Sequence, residues 1–61
     1  MKLISIAKQQ EDLSWVQVQT GLPDTATATN EAVTLSSENA GTNYRVEVYD
    51  SDSGNTEDIY V

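Results

Sequence analysis

The 61-residue sequence contains no cysteine and no histidine. Without cysteine there are no disulfides and no thiolate metal sites. Without histidine the commonest zinc ligand is missing, and so is the side chain that most often serves as a general base near neutral pH. Basic residues are scarce as well. Lys2, Lys8 and Arg45 stand against ten acids, for a net charge of −7. Three dispersed cations do not make the clustered basic patch that phosphate backbones require, which argues against nucleic acid as a direct partner. The same balance argues against anionic membrane surfaces. No apolar run exceeds three residues, far short of a membrane-spanning helix. The opening "MKLISIAKQQ" has an apolar patch too short for a secretory signal and no small-residue cleavage site after it. The expectation is a chain made in the cytoplasm, with later placement on a virion surface left open.

A chain of this length supports a single domain, residues 1–61, and leaves roughly 40% of its unfolded surface exposed after folding. Small domains usually need a staple. With disulfides gone, the remaining devices are close packing, an oxygen-liganded cation or a partner chain.

What the sequence does have is two-residue alternation, the period of a β-strand. In "LISIA", Ile4 and Ile6 share one face while Leu3 and Ser5 share the other. In "DLSWVQVQT", Leu13 and Trp15 point one way and Val16 and Val18 the other, so the apolar parity changes at Trp15–Val16. Such a change predicts a bulge or a strand covered on both faces. "TGLPD" is a break, with Pro23 holding Leu22 extended. The Thr/Ala alternation of "TATATN" reads as a low-bulk extended segment; its three aligned threonines, Thr25, Thr27 and Thr29, are too few for an ice-binding row. "EAVTLSS", "YRVEVYD" and "EDIYV" read as further strands. No stretch reads as a helix. The fold class expected is therefore all-β, a small antiparallel β-sandwich or open barrel of five to six strands. Its core would hold Ile6, Leu35, Tyr44, Val46, Val48 and Ile59, joined by Leu3, Trp15, Val18 and Val33.

The C-terminal stretch "VEVYDSDSGNTEDIYV" poses the main chemical question, because four carboxylates flank one glycine between Asp50 and Asp58. A calcium loop of the EF-hand type needs D-x-[DN]-x-[DN]-G and a glutamate at position twelve. Asp50 and Asp52 fit the first two ligands, but Gly54, Asn55 and Val61 occupy the places of the third ligand, the glycine and the glutamate. A looser oxygen site would draw on Asp50, Asp52, Asn55 and Asp58. The simpler reading is a hairpin with loop 51–56. Pairing Asp50 with Glu57 sets Val48 opposite Ile59 and Val46 opposite Val61, placing four apolar side chains on one face. No metal is then required, and no cofactor is called for elsewhere.

Residues 40–61, "AGTNYRVEVYDSDSGNTEDIYV", resemble the closing part of bacterial and phage immunoglobulin-like or fibronectin type III-like modules. Gly41, Thr42, Tyr44, Val46, Val48, Asp50, Gly54 and Asn55 carry the likeness, with Asn43 as an insertion. The resemblance implies a truncated Ig-like sandwich and a role in binding, adhesion or a virion surface. It covers about a third of the chain, and the full immunoglobulin fold takes about 100 residues.

Catalysis is not expected. A nucleophile–base pair and a phosphate-binding glycine loop are both missing, and so short a β chain has little room for a substrate cleft. Trp15, Tyr49, Tyr60 and Arg45 are instead the side-chain types enriched at binding hot spots, and they form the candidate interface. The expectation is a non-enzymatic structural protein docking onto a larger protein assembly, foremost a phage capsid as a decoration or cement subunit, or onto copies of itself. The alternatives are an acidic inhibitor that mimics DNA and a calcium-dependent adhesion module.

Overall fold

The computed structural model describes residues 1–61, folded as four strands and one helix. Strands β1 (Lys2–Gln9), β2 (Trp15–Leu22), β3 (Tyr44–Asp50) and β4 (Asn55–Tyr60) form one open sheet in the order β2-β1-β3-β4. Every neighbouring pair is antiparallel. Helix α1 (Thr25–Glu38) joins β2 to β3. The antiparallel β character stands. There is one sheet of four strands, and a helix occupies the place where a second sheet was expected.

The topology explains that helix. β2 and β3 both run antiparallel to β1, so they run parallel to each other with β1 between them. A parallel pair needs a long crossover, usually helical. Locally, Asp24 is the N-cap, with extended backbone and a side chain that accepts from the Thr27 N–H at 2.7 Å. The Asn39 N–H and side-chain amide both donate to the Leu35 carbonyl and close the last turn. Ala28, Ala32 and Leu35, at i, i+4 and i+7, form the stripe that meets the sheet.

The core lies between α1 and one sheet face: Ile4, Ile6, Ala28, Ala32, Tyr44, Val46 and Val48, flanked by Leu22, Leu35 and Ile59. Alanines on the helix let it sit close to the branched side chains of β1 and β3. Four expected core residues lie elsewhere. Leu3 and Trp15 are on the helix-free face, while Val18 and Val33 are largely exposed. Val18 is the extra residue of a bulge, because Gln17 and Gln19 pair with the consecutive Ala7 and Ile6. A second irregularity falls between Gln19 and Leu22. Both irregularities lie beyond the parity change: Trp15, Val16 and Gln17 pair regularly with Gln9, Lys8 and Ala7, so no bulge sits at Trp15–Val16 and the two side chains simply take opposite faces. Only nine of the 61 residues are buried, so the fold rests on one thin core.

The β3–β4 hairpin forms, but two residues out of the expected register. Val46 faces Ile59, Val48 faces Glu57 and Asp50 faces Asn55. The Gly54 N–H donates to the Asp50 carbonyl at 2.7 Å, and Gly54 takes a positive φ of 77° that a side chain would resist. The tight loop over 51–54 thereby recruits Asn55 and Thr56 into the strand. A shift of two leaves every side chain on its expected face.

Candidate binding face

Alternation puts Leu3, Ser5 and Ala7 of β1, Trp15 and Gln17 of β2, Arg45, Glu47 and Tyr49 of β3, and Thr56, Asp58 and Tyr60 of β4 on the sheet face opposite the helix. All four sequence-predicted interface residues, Trp15, Arg45, Tyr49 and Tyr60, share this face.

Arg45 organises it. Its Nε and Nη2 donate to Glu47 Oε2 at 2.9 and 2.6 Å, and Nη1 lies 3.7 Å from Asp58 Oδ2. Its guanidinium carbon sits 4.4 Å from the Trp15 ring centroid and 6.0 Å from that of Tyr60. The two rings meet edge to face at 5.9 Å, within the range that favours T-shaped pairs. Trp15 and Tyr60 belong to opposite edge strands, so the stack spans the sheet. It is the small Ala7 that makes this feasible: Ala7 lies directly between Gln17 and Arg45, where a longer side chain would stand in the way. Although no helix covers Ala7, it is only 1% exposed; the stack lies on that side.

Glu47 is held by two side chains. It accepts from Gln17 Nε2 at 3.1 Å as well as from Arg45, and Gln17 also donates to the Ser5 hydroxyl at 3.1 Å. Burial pushes the Glu47 carboxyl up, but the bonds from Gln17 and Arg45 outweigh it and leave the group below its ordinary value. Beside this network lies an open trough of about 530 Å³, lined among others by Leu3, Gln17, Thr20, Glu47, Tyr49 and Asp58. Leu3 (50%) and Tyr49 (42%) in its wall, and Tyr60 (64%) elsewhere on the face, keep substantial exposure. Gln17 and Ala7 were not among the candidates read from sequence; Asp58 was read only as a weak metal ligand, and Glu47 only as a neighbour of Arg45 on this face. Arg45 and Glu47 at i and i+2 on one strand were the available signal.

The weaker metal candidates do not come together. Asp50 and Asn55 pair across the hairpin and lie on the helix side, whereas Asp58 lies on the opposite face beside Arg45. Asp52, in the loop, binds the Met1 ammonium, which also lies 3.8 Å from Asp50 Oδ1. Asp50 is held below the ordinary aspartate value chiefly by the Asp52 N–H, which donates to it at 3.0 Å. No group of three or more acidic side chains is arranged to hold an ion. Comparison with protein-family models, with curated proteins and with solved structures finds no match to this chain, so functional inference rests on this face and its chemistry.

Proposed function

We propose that the chain is a non-enzymatic docking module that binds a larger protein assembly through its helix-free sheet face. The observation that carries the reading is the Trp15–Arg45–Tyr60 stack, ordered without a helix above it, with exposed Leu3 and Tyr49 farther along the same face. Trp, Tyr and Arg are the residues that dominate binding energy at interfaces. Here their geometry is fixed before any partner arrives, which lowers the entropic cost of association. The molecule is a slab 35 by 24 Å across and 15 Å thick. One face of it amounts to about 800 Å², the size of one side of a standard interface. Among assemblies, a phage capsid decorated by this subunit is the class we name, with the virion surface as its place of action; the likeness of residues 40–61 to immunoglobulin-like modules agrees with such a role.

The distribution of charge favours docking over DNA mimicry. Glu11 and Asp12 sit in the β1–β2 turn, Asp24 caps the helix, and Asp50 and Asp52 mark the β3–β4 loop. Phosphate imitation calls for a row of carboxylates, and on the sheet face Arg45 stands between Glu47 and Asp58.

The test is native mass. In an extract of the source, the wild-type chain should migrate with a large particle, and Trp15→Ala or Tyr60→Ala should release it while circular dichroism still shows a folded domain. Migration of the wild-type chain as a free 6.7 kDa species would overturn the reading.

A further inference from the structure

We propose that the outer edge of β4 takes up an extended, basic segment of a partner protein as a fifth strand. The inference rests on the backbone groups of the sheet's edge; the side chains of Thr56, Asp58 and Tyr60 also belong to the docking face, but the edge argument does not depend on what that face binds.

The hydrogen-bond phase is fixed by five bonds just outside the strands. Val61 N–H donates to Tyr44 O, which continues the β3–β4 register and makes 46↔59 and 48↔57 the hydrogen-bonded pairs. Gln9 N–H to Asn43 O and Ser51 N–H to Met1 O extend the β1–β3 register and assign the odd residues of β3 to β1. Gln10 N–H to Ser14 O extends the β1–β2 register in the same way, and Gly54 N–H to Asp50 O closes the hairpin. Antiparallel strands alternate in this manner. The N–H and C=O groups of Thr56, Asp58 and Tyr60 therefore point away from the sheet, and none of them appears in a backbone bond outside the strands.

The sheet's two edges differ. β2 is broken by two irregularities, which twist an edge and blunt it against pairing. β4 pairs without interruption from Asn55 to Tyr60 and offers a regular template. Strand addition to such an edge is a recurrent mode of peptide recognition. Charge selects the occupant. Glu57 and Asp58 project from this edge, one to each side of the sheet, on a chain whose net charge is −7, and Arg45 beside Asp58 is the cation on that face. A second copy pairing edge to edge would bring these acids against their own mates. A basic strand would meet opposite charge directly across the pair, where it is stabilising. The preferred pattern alternates. Basic side chains belong beside Asp58, and apolar ones belong beside half-buried Ile59 on the helix side, where α1 packs over β1, β2 and β3 and leaves β4 largely clear. The same acids disfavour acidic strands, so they serve specificity as well as solubility.

The experiment follows amide exchange and amide shifts by NMR as the full chain is titrated with a synthetic peptide alternating lysine and valine, about strand length. A matched peptide alternating glutamate and valine is the control. Slowed exchange at Thr56, Asp58 and Tyr60 with the lysine peptide alone is the expected result. Glu57→Gln combined with Asp58→Asn should weaken that binding roughly threefold to tenfold. Thr56→Pro removes an outward N–H without removing a ladder bond, a position where an edge strand tolerates proline, and should abolish binding with the fold intact. The proposal is overturned by equal response to both peptides, by protection confined to β2, by undiminished binding to Thr56→Pro, or by concentration-dependent protection of β4 without any peptide, which would identify a second copy as the occupant.

Discussion

If the Trp15–Arg45 contact orders the helix-free face, the two residues must be energetically coupled, and a double-mutant cycle measures that coupling. The variants are Trp15→Ala, Arg45→Ala and the pair. The guanidinium lies 4.4 Å from the ring centroid, well inside the ~6 Å reach of a cation–π contact. Such contacts contribute about 0.5–1 kcal/mol when exposed and ~2 kcal/mol when desolvated. The Arg45 side chain keeps only 18% of its exposure, which places the expected coupling near ~1 kcal/mol. Arg45→Ala alone should cost more than that, because it also removes two donors from Glu47 and leaves Glu47 and Asp58 facing each other without their cation. Charged hydrogen bonds of this kind contribute roughly 1.5–3 kcal/mol when partly covered.

Those magnitudes are large against the whole. At about 0.05–0.15 kcal/mol per residue, a chain of this length has roughly 3–9 kcal/mol of stability. The cycle is therefore best run in the cold, near the temperature of maximum stability, by urea unfolding with far-ultraviolet circular dichroism as the signal, because the only tryptophan is being removed. With a urea slope of about 1 kcal/mol/M for so small a domain, the coupling appears as a midpoint of the double variant displaced by nearly ~1 M from the sum of the single effects. Additivity within about 0.3 kcal/mol would refute the claim that the stack is an energetic unit, and with it the argument that the face is organised in advance.

Ile6 is completely buried beneath the helix, and Ile6→Ala should cost roughly 2–5 kcal/mol, a large share of the whole stability, read as a lowered urea midpoint by circular dichroism; a loss under about 1 kcal/mol would contradict the thin-core description. Glu47 has a folded pKa below its unfolded one, so the stability it contributes is complete above the ordinary glutamate value near ~4.3 and is lost as pH falls through the lower folded value. Asp12, Asp24 and Asp50 are shifted in the same direction, Asp12 first by the Ser14 hydroxyl and Asp24 first by the Thr27 N–H. Urea midpoints should therefore decline on acidification, and Glu47→Gln should decline less steeply below about pH 4.5; parallel curves would refute the assignment. Leu13 holds a φ of 72° in the β1–β2 turn and is 71% exposed. Leu13→Asn should relieve left-handed strain and stabilise the fold by about 0.5–1 kcal/mol, read as a raised thermal midpoint, whereas a fall would assign Leu13 a packing role.

Faces were legible in the sequence where pairing was not. Strands β1, β3 and β4 announce themselves by alternation, and side-chain period two fixes which residues share a side. That is why Arg45, Tyr49 and Tyr60 could be grouped correctly although the hairpin register was two residues off. The register was inferred by maximising apolar coincidence, Val46 with Val61 and Val48 with Ile59. The chain instead follows its turn: Gly54 alone can take the positive φ that closes a short loop, and the shorter loop adds the Asp50–Asn55 and Tyr49–Thr56 pairs. Helix α1 was hidden for a different reason. Thr/Ala alternation carries a strand period on its surface, and threonine favours strands. The same residues also hold a helical stripe in Ala28, Ala32 and Leu35, with Asp24 as its cap. What decides between the two is nonlocal. Once β1 pairs with both β2 and β3, only a crossover can connect them, and alanine is the residue that lets a crossover helix lie close on branched neighbours. The binding face depends on a second small residue by the same logic. Ala7 looks featureless in the sequence, yet a bulky side chain there would hold Trp15 and Tyr60 apart on their opposite edge strands. The positions that make both sides of this sheet are thus its alanines, whose role lies in the space they leave and cannot be read from any periodicity of the large side chains.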